Sequence, residues 1–137
     1  VGELWGTSTY PPVSKRKFDE GRMRPRMNGR QVFVQAVRHF KEVVGECLAA
    51  NGVGIGDVNR FIFHQANMRI IEAVGEGLRI PSDRLYNNVE RYGNTAAASV
   101  PIALHEAREA GLVKDGDLVL LAAFGTGFSW GATLIRW

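Results

Sequence analysis

Leu118-Val-Leu-Leu-Ala-Ala-Phe124 is apolar at every position, so both faces of this run are suited to burial. A strand with one wet face alternates apolar and polar residues; an unbroken apolar run belongs in the middle of a sheet covered on both sides. Working outward, Gly125-Thr-Gly127 turns the chain, and Phe128 to Trp137 reads as a final strand. Upstream, Arg60-Phe-Ile-Phe-His64 is a short buried strand by its length and flanks, and Leu85 to Val89 reads as another. Strands alternating with helical stretches predict a layered α/β/α domain around a mixed sheet.

The helices are visible in the spacing of apolar residues. From Gly29 to Asn51, Phe33, Ala36, Val37, Phe40, Val44, Cys47 and Leu48 recur at three- and four-residue intervals and form one stripe. Asn51-Gly52 stops that helix, and Gly54 to Asp57 makes a turn. A second helix runs from about Asn67 to Leu78, with Ile70, Ile71, Val74 and Leu78 facing inward. Pro81-Ser-Asp turns the chain again. Thr95 to Ala110 is a small-residue helix closed by Gly111, with a kink expected at Pro101. Residues 1–28 are rich in Gly, Pro and charge, with a short strand expected near Glu3 to Ser8. They read as a linker or the end of a preceding unit, and 29–137 as the domain proper.

Composition narrows the function classes. The 137 residues, 45% of them apolar, can form one core, and a charged fraction of 23% argues against wholesale disorder. The single cysteine, Cys47, can form no intramolecular disulfide, which fits a reducing cytoplasm. No apolar run reaches the roughly 18–20 residues that span a bilayer. The start has no basic-then-apolar signal layout and no methionine, so a fragment or processed chain is expected. Residues 15–30 hold seven Lys/Arg against Asp19 and Glu20, a local +5, while the rest carries −2. Such a segment suits a merely solvated loop, an acidic partner, a phosphorylated cofactor or a nucleic acid. No aromatic interleaving or nucleic-acid module supports the last of these.

Of three histidines, His39 and His105 fall in helices and are expected at their surfaces or edges. His64 instead ends a buried strand, where a sheet tip opens to a pocket. His64-Gln-Ala-Asn67 opens one helix, Tyr92-Gly-Asn94-Thr opens another, and Phe124-Gly-Thr-Gly127 is a tight turn. Free backbone N–H groups gather at such junctions, and all three could meet at one sheet edge. Asn67 and Asn94 as plain N-caps would explain each asparagine separately, but not the strand-end histidine.

The segments His64-Gln-Ala-Asn-Met-Arg-Ile, Arg91-Tyr-Gly-Asn-Thr-Ala-Ala-Ala-Ser and Ala123-Phe-Gly-Thr-Gly-Phe-Ser-Trp-Gly resemble the C-terminal half of 3-oxoacyl-acyl-carrier-protein synthase III. Met27-Asn-Gly-Arg-Gln-Val-Phe resembles a helix start in the same family, and the likeness spans about residues 25–137 with the motifs in order. The resemblance implies the C-terminal half of a thiolase-like fold, whose two α/β halves form a five-layered αβαβα body. It implies a cytoplasmic acyltransferase of fatty-acid or polyketide initiation, a homodimer when full length, needing no metal or other cofactor. Such enzymes condense an acyl-CoA with malonyl-acyl-carrier-protein and release carbon dioxide. A cysteine of the N-terminal half carries the acyl group.

By matching positions, the resemblance makes His64 and Asn94 the other two members of a Cys-His-Asn triad. Decarboxylation puts charge on the thioester oxygen, and two fixed neutral donors lower that barrier. Asn67 would hold the pantetheine arm or anchor His64 through a water. Phe124 would wall the site, and the turn at Gly125 and Thr126 would bind the acyl-thioester through its backbone. Thr126 stands where the family pattern expects glycine, which would narrow the acyl pocket or cost strain at positive φ. Arg69 would dock the acidic carrier protein, and Arg30 would meet CoA phosphates. Cys47 shares the helix stripe and predicts a buried, inert thiol rather than the nucleophile. The other reading is a non-catalytic subunit that binds CoA or carrier protein. Retention of both His64 and Asn94 favours the enzyme.

Overall fold

The computed structural model describes residues 15–20 and 27–137. The strand expected near Glu3 to Ser8 lies outside them. A short helix, α1 (Lys15–Asp19), precedes the main body. Helix α2 (Gly29–Ala50) starts where the Asn28 side chain accepts the Gln31 N–H at 3.1 Å. It ends at Asn51-Gly52: Gly52 takes φ 66°, and the Gly52 and Val53 N–H groups close onto the Ala49 and Leu48 carbonyls. This is the glycine-dependent stop that the sequence predicts.

Four strands form the sheet in the order β2-β1-β3-β4: β1 (Arg60–Phe63), β2 (Leu85–Tyr86), β3 (Leu118–Gly125) and β4 (Ser129–Arg136). β1 pairs in parallel with β2 and β3, while β4 runs antiparallel to β3. The sheet is therefore mixed, as expected.

Strand periodicity sorts the side chains to two cores. Phe61, Phe63, Leu118, Leu120, Ala122 and Phe124 face α2 and α3 (Met68–Leu78), packing on Phe40, Val44, Leu48, Ile71 and Val74. Ile62 and Val119 face the other way, onto Ala103 and Ala107 of α5 (Ser99–Glu109) and onto Val113. Helices thus cover both faces at Leu118–Leu120, which explains the unbroken apolar start of the run, whereas Leu121 is half-buried and Ala123 is exposed. Phe61 and Phe63 are fully buried. Truncating either to alanine would cost about 3–5 kcal/mol in transfer and cavity terms.

Two expectations change. The strand expected over Leu85 to Val89 is only Leu85–Tyr86, and Val89 already begins a short helix, α4 (Val89–Tyr92). The Asn88 and Val89 N–H groups go to the Gln65 side chain instead of a strand ladder. The helix expected from Thr95 begins at Ser99, after a 3-10 turn at Ala96–Ala98. Pro101 therefore lies in the first turn of α5. There its missing N–H would have had no helical partner, so it forces no kink.

Candidate active site

β1 stops at Phe63, but the His64 N–H still donates to the Ala122 carbonyl at 2.8 Å, carrying the parallel ladder one residue further. The His64 backbone is thus fixed while its ring clears the sheet. Ring Nδ1 lies 2.5 Å from Ser99 Oγ, and the Gln65 N–H donates to the same hydroxyl at 3.2 Å. Burial pushes the His64 imidazole below its ordinary value, so the neutral ring is favoured.

Asn94 follows Gly93, whose φ of 64° turns the chain out of α4. Its Oδ1 accepts the Ala96 N–H at 2.9 Å, an interaction within its own turn and not a helix N-cap; Ala96 itself takes φ 50°. With Oδ1 engaged, the amide NH2 is the end available to a ligand. Asn67 is the N-cap of α3, its Oδ1 accepting the Arg69 N–H at 2.9 Å.

These junctions converge. His64, Asn67, Asn94, Phe124, Gly125 and Thr126 all line one cavity of about 1160 Å³, and Arg30 and Arg69 stand on it too. Phe124 is buried as a wall, 4.9 Å from the Phe128 ring. Thr126 is exposed and its φ is not positive, so it carries no left-handed strain. Arg30 and Arg69 are each the second residue of a helix, α2 and α3, and the Arg69 guanidinium lies 5.9 Å over the Phe33 ring. Two helix N-termini and two arginines make one side of a largely apolar cavity attractive to anions.

Cys47 is half-buried, and burial raises its thiol pKa. It lines a separate shallow groove beside Ala132 and Leu134. A thiol held protonated and outside the cavity is no nucleophile for it. His105 is exposed, as expected. His39 is not a free surface residue: its ring stacks on Trp130 at 3.8 Å, and Nδ1 bonds Glu42 at 2.9 Å. Among the described residues, no group of three or more His, Cys, Asp or Glu could hold a metal ion. No helix among them is long and apolar enough to cross a membrane.

Residues 48–137 match the family model described as 3-Oxoacyl-[acyl-carrier-protein (ACP)] synthase III C terminal. The chain belongs to this family. It is 52% identical over 112 residues to the beta-ketoacyl-[acyl-carrier-protein] synthase III of Aquifex aeolicus, covering 82% of this chain and 36% of that protein. It is 47% identical over 131 residues to the Nitratidesulfovibrio vulgaris (Miyazaki F) synthase III, covering 96% of this chain and 40% of the relative. The crystal structure of the Aquifex aeolicus 3-oxoacyl-[acyl-carrier-protein] synthase III superposes with a TM-score of 0.82 at 49% identity, over 86% of this chain and 38% of that one. That of the Pseudomonas aeruginosa PAO1 synthase III gives 0.84 at 34% identity, over 100% and 44%. The fold is the C-terminal half of the thiolase-like fold of these synthases. The chain spans about two fifths of the length of the curated relatives it matches.

In this synthase III segment, Gln65 and Ser99 touch the candidate triad residues or hold their loops, yet neither had a role by sequence. Ser99 closes the Arg91–Ser99 motif, but its partner lies 35 positions away. A lone serine in a run of alanines carries no sign of that contact.

Proposed function

We propose that this chain is the C-terminal part of a decarboxylating condensing enzyme. It supplies His64 and Asn94 to hold the enolate formed from malonyl-acyl-carrier-protein. The observation that carries this reading is the opening of both side chains, from separate junctions, onto one largely apolar cavity. In the reaction, the bond between the malonyl α-carbon and its carboxylate breaks and carbon dioxide leaves. The electron pair moves through the α-carbon onto the thioester oxygen. The Asn94 NH2 and the His64 ring N–H donate to that oxygen, where fixed dipoles stabilise developing charge. The enolate carbon then attacks an acyl thioester carried by a cysteine outside this chain, and the cysteine departs as thiolate.

Further roles follow from the lining. Arg30, with the N-terminus of α2, is suited to CoA phosphates, and Arg69 to an acidic carrier protein. Asn67 would hold the pantetheine arm, and Gly125 and Thr126 the acyl-thioester. Phe124 would shield them from water. Residues 1–28 would join this half to the cysteine-bearing half, in a homodimeric enzyme of the cytoplasm acting in fatty-acid or polyketide initiation.

The test is carbon dioxide release from malonyl-acyl-carrier-protein by the full-length polypeptide that carries this segment. His64→Ala and Asn94→Ala should each lower the rate about 10²- to 10³-fold, the usual loss of one such donor. Unchanged rates in both variants would remove the assignment.

A further inference from the structure

We propose that Ser99 is a positioning residue that sets the tautomer of His64 through its hydroxyl; this rests on the reading of His64 as an enolate donor. Ser99 is 1% exposed and is the first residue of α5. Its Oγ sits 2.5 Å from His64 Nδ1 and receives the Gln65 N–H at 3.2 Å. A serine hydroxyl has one proton and two acceptor sites. The Gln65 N–H occupies an acceptor site, and among the described residues the imidazole is the other group bonded to this hydroxyl, whose 1% exposure leaves its proton no solvent to turn to. The hydroxyl proton therefore points at Nδ1, which must be unprotonated to accept it. A neutral ring with a bare Nδ1 carries its proton on Nε2.

Several features fit a device of this kind. Gln65 is 1% exposed and is held at both ends: its Nε2 donates to the Phe63 carbonyl at 2.7 Å, and its Oε1 accepts from Asn88 and Val89. The N–H that polarises Ser99 is thus on rigid backbone. Burial of the ring also disfavours the imidazolium, in which both nitrogens would be donors and the hydroxyl would have to turn away. Finally, Ser99 lies five residues beyond Asn94. One side chain at the start of α5 therefore touches the histidine, while the asparagine turn leads through a 3-10 turn into the same helix. Alanine at position 99 would leave Nδ1 free to take the proton, and Nε2 would then present a lone pair to the enolate oxygen.

The experiment uses the full-length polypeptide, ¹⁵N-labelled at histidine, with His64→Ala to assign the ring signals. Wild type should show a protonated Nε2 and an unprotonated Nδ1. Ser99→Ala should raise the Nδ1-protonated population. It should also lower kcat for malonyl-acyl-carrier-protein decarboxylation about tenfold, the rate equivalent of one hydrogen bond, with KM unchanged. Ser99→Thr keeps the hydroxyl and should retain the wild-type tautomer. A wild-type ring protonated at Nδ1 overturns the proposal. So does a Ser99→Ala variant with wild-type ring signals and rate, or with a lowered rate and unaltered signals. If His64→Ala itself decarboxylates at the wild-type rate, the enolate-donor reading fails, while the ring spectra still decide what Ser99 does.

Discussion

The Gln65 side-chain oxygen accepts the Asn88 N–H at 2.8 Å, joining the turn after β1 to the loop after β2. The same oxygen takes the Val89 N–H at 3.1 Å. His64 precedes Gln65, and α4 carries the chain from Asn88 towards Asn94, so this buried amide ties together the two segments that reach the cavity. With Nε2 spent on the Phe63 carbonyl, the side chain is held at both ends.

Gln65→Leu is nearly the same size but strands two backbone N–H groups in the interior. Each unsatisfied buried donor costs about 1–3 kcal/mol, so the variant should unfold at clearly lower denaturant than wild type. Gln65→Glu keeps the acceptor and loses the donor to Phe63, placing an oxygen against that carbonyl instead. It should also be destabilised, and more so above the carboxyl pKa than below it. Denaturant titrations at two pH values check both; a wild-type midpoint for Gln65→Leu would show that the clamp contributes nothing.

Glu106 on α5 performs a similar task for α4. Its carboxylate accepts from Tyr92 Oη at 2.6 Å, Asn88 Nδ2 at 2.7 Å, Arg91 Nη2 at 2.7 Å and Tyr86 Oη at 3.3 Å. The Tyr92 and Asn88 bonds are the leading causes that hold its pKa below the ordinary carboxyl value. A depressed folded-state pKa means stability that is present above the unfolded value of about 4.5 and lost as pH falls through the folded value. Glu106→Gln should therefore melt lower than wild type at pH 7. The gap should narrow as the medium is acidified below about pH 4.5. Parallel melts at pH 7 and below pH 4 measure it.

These clamps explain which parts of the fold were legible in the sequence. Helix α2 could be read from its stripe and its Asn-Gly stop, and β3 from its unbroken apolar run, because short-range spacing encodes both. β2 ended early because Asn88 answers to Gln65 and Glu106, partners 23 and 18 positions away. α5 started late because the Asn94 side chain captures the Ala96 N–H and spends it on a turn. His39 has helical spacing, but Trp130 of β4 covers it from across the layer. The candidate site was legible by motif. The contacts that orient it are made between side chains far apart in sequence, where periodicity has nothing to report.

The His64 imidazole offers a pH test of the proposed chemistry. Burial lowers its pKa, so the neutral ring persists to lower pH than in an exposed histidine. If the neutral ring is the enolate donor, the acid limb of kcat for decarboxylation should have its midpoint below about pH 6.5, the unperturbed histidine value. Stability follows the same sign: the unfolded chain takes up this proton first, so the group opposes folding as pH falls below about 6.5. An acid midpoint above that value, absent in His64→Ala, would contradict the buried neutral ring.

The turn between β3 and β4 separates a residue fixed by backbone from one open to change. Gly127 takes φ 148°, and a Cβ built there would lie 2.6 Å from Ser129 Oγ and 2.9 Å from the Ser129 nitrogen. The second contact is backbone and cannot swing aside. Gly127→Ala should therefore cost about 1–3 kcal/mol, the range for a residue forced into a sparsely populated conformation. Thr126, one position earlier, is exposed and has no positive φ. Thr126→Gly should cost at most about 1 kcal/mol, chiefly by loosening the unfolded chain. Under the proposed function, in which the Thr126 turn meets the acyl-thioester, this substitution should change which acyl chain the full-length polypeptide prefers while leaving stability nearly unaltered. Chemical denaturation ranks the two variants, and a Gly127→Ala protein as stable as Thr126→Gly would show that the turn relaxes where its geometry says it cannot.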